Sequence, residues 1–465
     1  MCEIATWWNT STWHTLAFSA AAAAYQKRRE TCRFSQGMHE ACPGPTHRPR
    51  GMRSSDRAAV SSGLLLFASR PRAWLLVVAF AVSLVAGCRT PPRYVGPTGA
   101  RSGRGALIGV EHLKSYSALH LRILRMLARL PAHIPVDNGV DTYRVTYWTE
   151  HLGHAEIASG LLALPAGREA RGVVTWLGGT NPTRMEAPAE SAPYAALIAA
   201  AFAGNGFTLL APDYVGLGLS RTYHPYFYEP TTVTSVIDMI RAARVATEGM
   251  GGRWDSRVYV IGFSEGAFAA TAVHRSLEST PEPFVDLVES VGIGAPLDLA
   301  DVAVPYALEG HSTASSMYLA YLVHAYSRVY AKPLTDLLRP DFATLVPALF
   351  DGEHDVDAIE AALPRDPRTM FNQDALAAFR PEASSWFRDA LRANAHTDWS
   401  PRAPLRLYYG DSDIDVPAEA TIRGARRMRE HGGNVEWIDA GPYGHNEVMF
   451  RTVPRAVAWF KELGR

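Results

Sequence analysis

One stretch narrows the folds open to this chain more than any other: Arg257–Val273, RVYVIGFSEGAFAATAV. Val258, Val260 and Ile261 read as a short buried β-strand, and Ala267, Ala269, Ala270 and Ala272 as the start of a small-residue helix. Between them lies Gly262-Phe263-Ser264-Glu265-Gly266, a G-x-S-x-G turn. The pentapeptide alone is unspecific; its place between a strand and a helix gives it meaning. On so sharp a turn the Ser264 Oγ projects away from the sheet. The Glu265 N–H then sits at a helix N-terminus, where it stabilises an oxyanion. Glycine is expected at 262 and 266 because side chains there would strike the neighbouring strand and helix.

The residues around this turn alternate in period. Leu107–Leu130 has apolar residues at helical spacing and stops before Pro131, which predicts a surface helix. Tyr143–Thr149 and Ile157–Leu164 predict a β-hairpin. Strands follow at Arg171–Trp176, Phe207–Ala211 and Val288–Ile293, with helices at Tyr194–Asn205 and Thr231–Thr247. Such alternation implies an α/β fold, a mostly parallel sheet with helices on both faces. After Gly294-Ala295-Pro296 it lapses, and Leu297–Pro401 reads as mostly helical. An insertion there lies above the strand C-terminal ends and predicts a cap, with Tyr306, Tyr318, Tyr321, Tyr326 and Tyr330 mostly in its own core. The alternation resumes with strand Leu405–Tyr409, helix Ala418–Arg429, strand Val435–Ile438 and a closing helix Val453–Leu463.

The front of the chain reads differently. Residues 1–51 are rich in Trp, Arg, Ser and His without a sustained period, as expected of a non-structural upstream segment. Arg70-Pro71-Arg72, the apolar run Ala73–Ala86 and Gly87-Cys88 have the layout of an export signal, placed here at 52–88. The apolar run falls short of the ~20 residues of a membrane-spanning helix. Val85-Ala86-Gly87-Cys88 resembles a bacterial lipobox, which implies that Cys88 is lipidated and becomes the mature N-terminus. The plainer reading is a buried helix ending in an ordinary thiol. All four cysteines, Cys2, Cys32, Cys42 and Cys88, lie at or before that point, so a mature chain has no intramolecular disulfide. Residues 89–105, rich in Pro, Gly and Arg, suit a flexible tether, and 106–465 would form the folded domain with its cap at about 297–401. The expected location is the bacterial cell envelope, lipid-anchored after export, and Arg89 leans toward the outer membrane. A formal net charge of zero gives no pull toward nucleic acid, and no phosphate-binding loop, zinc-ligand cluster or repeat is evident. No metal or organic cofactor is expected.

From about Arg171 to the end the chain resembles the α/β-hydrolase superfamily, on the strength of the elbow and of Gly410-Asp411-Ser412-Asp413-Ile414-Asp415-Val416-Pro417. A serine hydroxyl needs a base, and the base a carboxylate, which these proteins supply in the order Ser, acid, His. After the late strand only His431 and His445 remain of 16 histidines. His431 ends a basic helix before Gly432-Gly433, where the helix dipole favours it. His445, in a loop just past the last strand, is therefore the expected base. The acid turn resembles the superfamily's G-x-x-D-x-x-V-P, which implies Asp413; Asp411 and Asp415 suit turn or cap roles, Asp415 being the second choice. Asp213 precedes the nucleophile and reads as a structural loop residue. The resemblance also implies a second oxyanion donor at Leu177-Gly178-Gly179-Thr180, with the Thr180 N–H as the candidate beside that of Glu265. An ordinary glycine loop is the alternative.

Two further stretches, Ala211-Pro212-Asp213-Tyr214-Val215-Gly216-Leu217-Gly218 with His224-Pro225-Tyr226, and Ser235-Val236-Ile237-Asp238 running to Arg241-Ala242-Ala243-Arg244, are similar to the secretory lipase group. That group implies hydrolysis of carboxylic esters, often of lipids, under a helical cap. It commonly has His-Gly-Thr where this chain has Gly178-Gly179-Thr180. The expected partners are thus an ester substrate, small or lipid, and the membrane that holds the anchor. A serine peptidase on the same fold is the nearer alternative, although no propeller-like repeat accompanies it. A lipid-anchored envelope protein with an inactive triad is the more distant one.

Overall fold

The computed structural model describes residues 103–127, 135–380 and 384–464. The stretches expected to be an upstream segment, an export signal ending at Cys88 and, up to residue 102, a tether lie outside the described residues. Within the expected tether, Arg104 and Gly105 are already docked. Arg104 pairs with the buried Asp238 at 3.1 Å, and the Gly105 N–H donates to Trp148 O at 2.7 Å. Packing therefore begins ahead of residue 106.

Nine strands make one sheet: β1 (Leu107–Tyr116), β2 (Val140–His151), β3 (His154–Pro165), β4 (Val173–Leu177), β5 (Thr208–Pro212), β6 (Arg257–Phe263), β7 (Asp286–Ile293), β8 (Leu405–Tyr409) and β9 (Val435–Asp439). Their spatial order is β1-β2-β3-β5-β4-β6-β7-β8-β9. From β5 to β9 every pairing is parallel, and β1, β2 and β3 add an antiparallel edge. The central strands β4 and β5 are buried along their whole length, as apolar runs covered on both faces should be.

Helices α1 (Ala118–Leu127), α2 (Ala192–Ala201) and α12 (His445–Leu463) lie with one face, where Trp176, Phe202, Phe207, Ile261 and Phe460 pack together. Helices α3 (Glu229–Gly249) and α4 (Glu265–Ser279) cover the other through Val236, Ile240, Ala270 and Val273. Helix α11 (Ala418–Glu430) packs by Ala425 and Met428 against Leu405 and Leu407 of β8.

The helix expected over Leu107–Leu130 is a correction: its first part is strand β1, and among the described residues of that stretch only Ala118–Leu127 is helical. The register of β1 on β2 slips between Leu107 and Gly109 and again between His112 and Lys114. Each slip inserts a residue and breaks the period of two. Leu107 and Val110, three apart, thus share one face of the sheet, while Tyr116 joins the other. Bulges made a strand look helical.

Between β7 and β8 the chain forms the cap, with helices α5 (Val304–Leu308), α6 (Ser315–Val329), α7 (Pro340–Leu349), α8 (Val356–Ala362), α9 (Gln373–Ala378) and α10 (Trp386–Ala393). It has its own core of Leu319, Val323, Tyr326, Phe371, Phe387 and Leu391, which Tyr226, Phe227 and Phe268 of the main domain join.

Candidate active site

Ser264 stands at the C-terminal end of β6, between the parallel neighbours β4 and β7. Its backbone is at φ 56°, a left-handed conformation that a non-glycine residue adopts only when its surroundings enforce it. The enforcement is visible on both sides. The Ser264 N–H donates to Ile293 O at 2.8 Å, and its carbonyl accepts from the Ala267 N–H at 2.9 Å as α4 begins. A Cβ at Gly262 would lie 1.8 Å from Gly266 O, and one at Gly266 would lie 1.9 Å from Leu177 O. Only glycine lets the helix leave the strand so tightly. The Glu265 N–H falls in the first turn of α4, where helical amides have no partner within the helix.

The three carboxylates of the acid turn part company. Asp413 Oδ1 accepts from the backbone N–H groups of Asp415 at 3.0 Å and Val416 at 2.9 Å. Its Oδ2 lies 2.7 Å from His445 Nδ1. Asp415 instead turns to the cap, accepting from Ser312 Oγ at 2.6 Å and from the Tyr318 hydroxyl at 3.4 Å. Asp411 is exposed. His431 caps the C-terminus of α11 and is 4.0 Å from Asp398, remote from this cluster in its contacts.

His445 is the first residue of α12, not a loop residue before a helix at Val453. The Gly444 N–H donates to the Glu447 carboxylate at 3.3 Å and fixes the helix start there. The imidazole is held between Asp413 and the Phe263 ring, whose centroid is 4.6 Å away. Gly294 follows β7, and a Cβ on it would sit 2.9 Å from His445 Cε1 and 3.5 Å from Asp413 Oδ2. Burial pulls the imidazole toward neutrality, but the charge and hydrogen bond of Asp413, with Asp415 behind, outweigh it and raise the His445 pKa above 6.5. Ser264, Asp413 and His445 are exposed by only 8%, 6% and 8%, so all three are buried.

The turn after β4 runs beside the elbow. A Cβ on Gly179 would be 3.3 Å from Ser264 Cβ, which places this backbone against Ser264. Thr180 Oγ1 is 2.6 Å from the Tyr226 hydroxyl. Tyr226 stacks on Tyr321 of the cap at 4.6 Å, and Tyr321 on Phe350 at 4.4 Å. Asp213 is buried behind the turn, accepting from Ser159 Oγ at 2.6 Å and the Ala189 N–H at 2.8 Å. Burial raises its pKa to about 7. Its contacts are those of a loop clamp. Among the described residues no group of three His, Cys, Asp or Glu is arranged to hold a metal ion.

No family model matches the chain, and no curated protein does. Solved structures do. A protein from Legionella pneumophila, provisionally described as a hydrolase, is 25% identical with a TM-score of 0.72, over 77% of this chain and 98% of its own. The fold is that of the α/β-hydrolases. The rice cell wall degrading esterase LipA from Xanthomonas oryzae shares the α/β-hydrolase architecture at 22% identity and TM-score 0.68, again over 77% and 98% of the two chains. Candida antarctica lipase A in its closed state is more distant, at 14% identity and TM-score 0.58, over 80% and 84%.

Sequence reasoning missed His224. Its Nε2 lies 2.7 Å from Glu265 Oε1, both side chains being 3% exposed. A histidine 41 positions from an acid carries no local signal of that contact.

Proposed function

We propose that the protein is a serine hydrolase that cleaves carboxylic esters through an acyl-enzyme, with Ser264 as nucleophile, His445 as base and Asp413 as the acid. The observation that carries this reading is the Asp413 Oδ2 to His445 Nδ1 contact of 2.7 Å, with the His445 ring 4.6 Å from that of Phe263, the residue just before the strained elbow Ser264. Two backbone amides hold the other Asp413 oxygen, so the carboxylate is fixed before substrate arrives. It accepts the Nδ1–H and leaves Nε2 as the basic nitrogen.

Ser264 Oγ attacks the ester carbonyl as His445 Nε2 takes its proton. The N–H groups of Glu265 and Thr180 receive the developing oxyanion. Collapse of the tetrahedral intermediate expels the alcohol, to which His445 returns the proton. Water then attacks the acyl-enzyme in the same way and frees the acid. The sequence of steps calls for no metal or organic cofactor.

A lipid or long-chain ester is the substrate class that best suits the site, because the aromatic stack Tyr226–Tyr321–Phe350 lines the cap beside the Thr180 turn. The esterase and lipase among the structural neighbours support ester hydrolysis in general. Lipidation at Cys88 would hold the enzyme on a membrane of the cell envelope, the outer one by preference, where such substrates concentrate. Labelling with a fluorophosphonate probe tests the reading. The wild-type chain is expected to label and Ser264→Ala is not; equal labelling of both would refute Ser264 as the nucleophile.

A further inference from the structure

We infer that His224 is a positioning residue for the oxyanion hole, acting through the side chain of Glu265, and that the two share one proton. The inference rests on the proposed reaction, because Glu265 supplies one of its oxyanion amides.

The proton count follows from geometry. His224 Nδ1 lies 2.8 Å from Val215 O, and a carbonyl only accepts, so Nδ1 carries hydrogen. The other ring nitrogen then faces Glu265 Oε1 at 2.7 Å. A bare Nε2 opposite a carboxylate would set two acceptors against each other at that distance. One proton therefore lies between them, as imidazolium with carboxylate or as imidazole with carboxylic acid. In both forms the pair is neutral overall. The residue that supplies an oxyanion amide thus carries no uncompensated negative charge toward the developing oxyanion.

The pair is also rigidly held. Tyr214, Tyr226 and Tyr321 pack on the imidazole with centroids 5.8, 6.1 and 5.7 Å away. Burial pushes all three phenols well above 10, so they present neutral faces. A Cβ at Gly216 would fall 2.1 Å from the His224 N, which shows how closely this loop clasps the histidine backbone. Two points of the single loop between β5 and α3, Val215 and His224, and the first turn of α4 are thereby tied together. A charge-assisted bond of this kind fixes the Glu265 side chain, and with it the direction of the Glu265 amide.

The experiment compares the full-length wild-type chain, His224→Phe and the double variant His224→Phe/Glu265→Met, reading kcat, KM and Tm on one ester. Phenylalanine keeps the ring in its aromatic cage and removes the hydrogen bonds. In the single variant, kcat is expected to fall roughly 10–100-fold with KM within about threefold, the cost of a misplaced oxyanion donor. The double variant also removes the orphaned carboxyl, so Tm is expected to recover while kcat does not. Recovery of kcat together with Tm, or a His224→Phe enzyme with wild-type kcat, overturns the inference. Should the single variant fail to fold, the double variant alone decides by the same kcat. If the wild type hydrolyses no ester, the proposed reaction fails separately. Proton NMR of histidine-labelled wild type then reads the pair itself: a downfield Nε2–Oε1 proton that disappears in Glu265→Met is expected, and its absence from wild type overturns the pair.

Discussion

Asp413 and Asp415 stand two residues apart and face opposite ways: Asp413 Oδ2 meets His445 Nδ1 at 2.7 Å, and Asp415 Oδ1 meets Ser312 Oγ of the cap at 2.6 Å. The division of labour is testable. Asp413→Asn presents an amide where the imidazole needs an acceptor, favours the wrong tautomer and is expected to lower kcat by roughly 10³–10⁴-fold. Asp415→Asn is expected to lower it less than about tenfold, since Asp415 only adds to the field at His445. Steady-state kinetics of the two variants, with circular dichroism to verify folding, checks this.

The pH profile follows from the same pair. The His445 pKa lies above 6.5, and the protonated ring accepts no proton from Ser264. Activity is therefore low on the acid side and rises as pH climbs through a midpoint above 6.5. In Asp413→Asn the attraction that raises the imidazole is gone while burial persists, so the midpoint of the residual activity moves down. kcat/KM against pH for both proteins measures the shift and its sign.

The Asp415 contacts also tie the cap to the acid turn, through Ser312 just before α6 and Tyr318 within it. Asp415→Ala removes a charged acceptor from two hydroxyls in a half-buried place. It is expected to cost about 1–2 kcal/mol and to speed limited proteolysis within 304–393. Urea unfolding and a protease time course read the two effects.

The elbow tolerates no side chain at its second glycine. With a Cβ site 1.9 Å from the Leu177 carbonyl oxygen, Gly266→Ala forces β4 and α4 apart. A loss on the order of 4 kcal/mol or more is expected, enough to abolish soluble folded protein in many domains. Expression and thermal unfolding of the variant check it.

Much of this arrangement is legible in the residues, for identifiable reasons. The strand Val258–Phe263, the glycines flanking Ser264 and the small residues of α4 are local demands of one sharp turn, so they sit together in the chain. Strand β8 and the Gly410–Pro417 turn are similarly contiguous. Contacts made across the fold left no such trace. His224 finds Glu265 only when loop and helix meet in space, and the Tyr226–Tyr321–Phe350 stack joins the core to the cap. Local pattern also misled where the backbone broke its own period, as in the bulged β1. Helix α12 begins at His445, ahead of the Val453 start read from the sequence, because of the Glu447 contact to the Gly444 N–H.

The most direct test of the account is p-nitrophenyl ester hydrolysis across a series of acyl-chain lengths, run on wild type and Ser264→Ala in parallel. The account predicts Ser264-dependent turnover that is greatest on long chains. Absence of turnover on every ester, or turnover that survives Ser264→Ala in a pure sample, would contradict it.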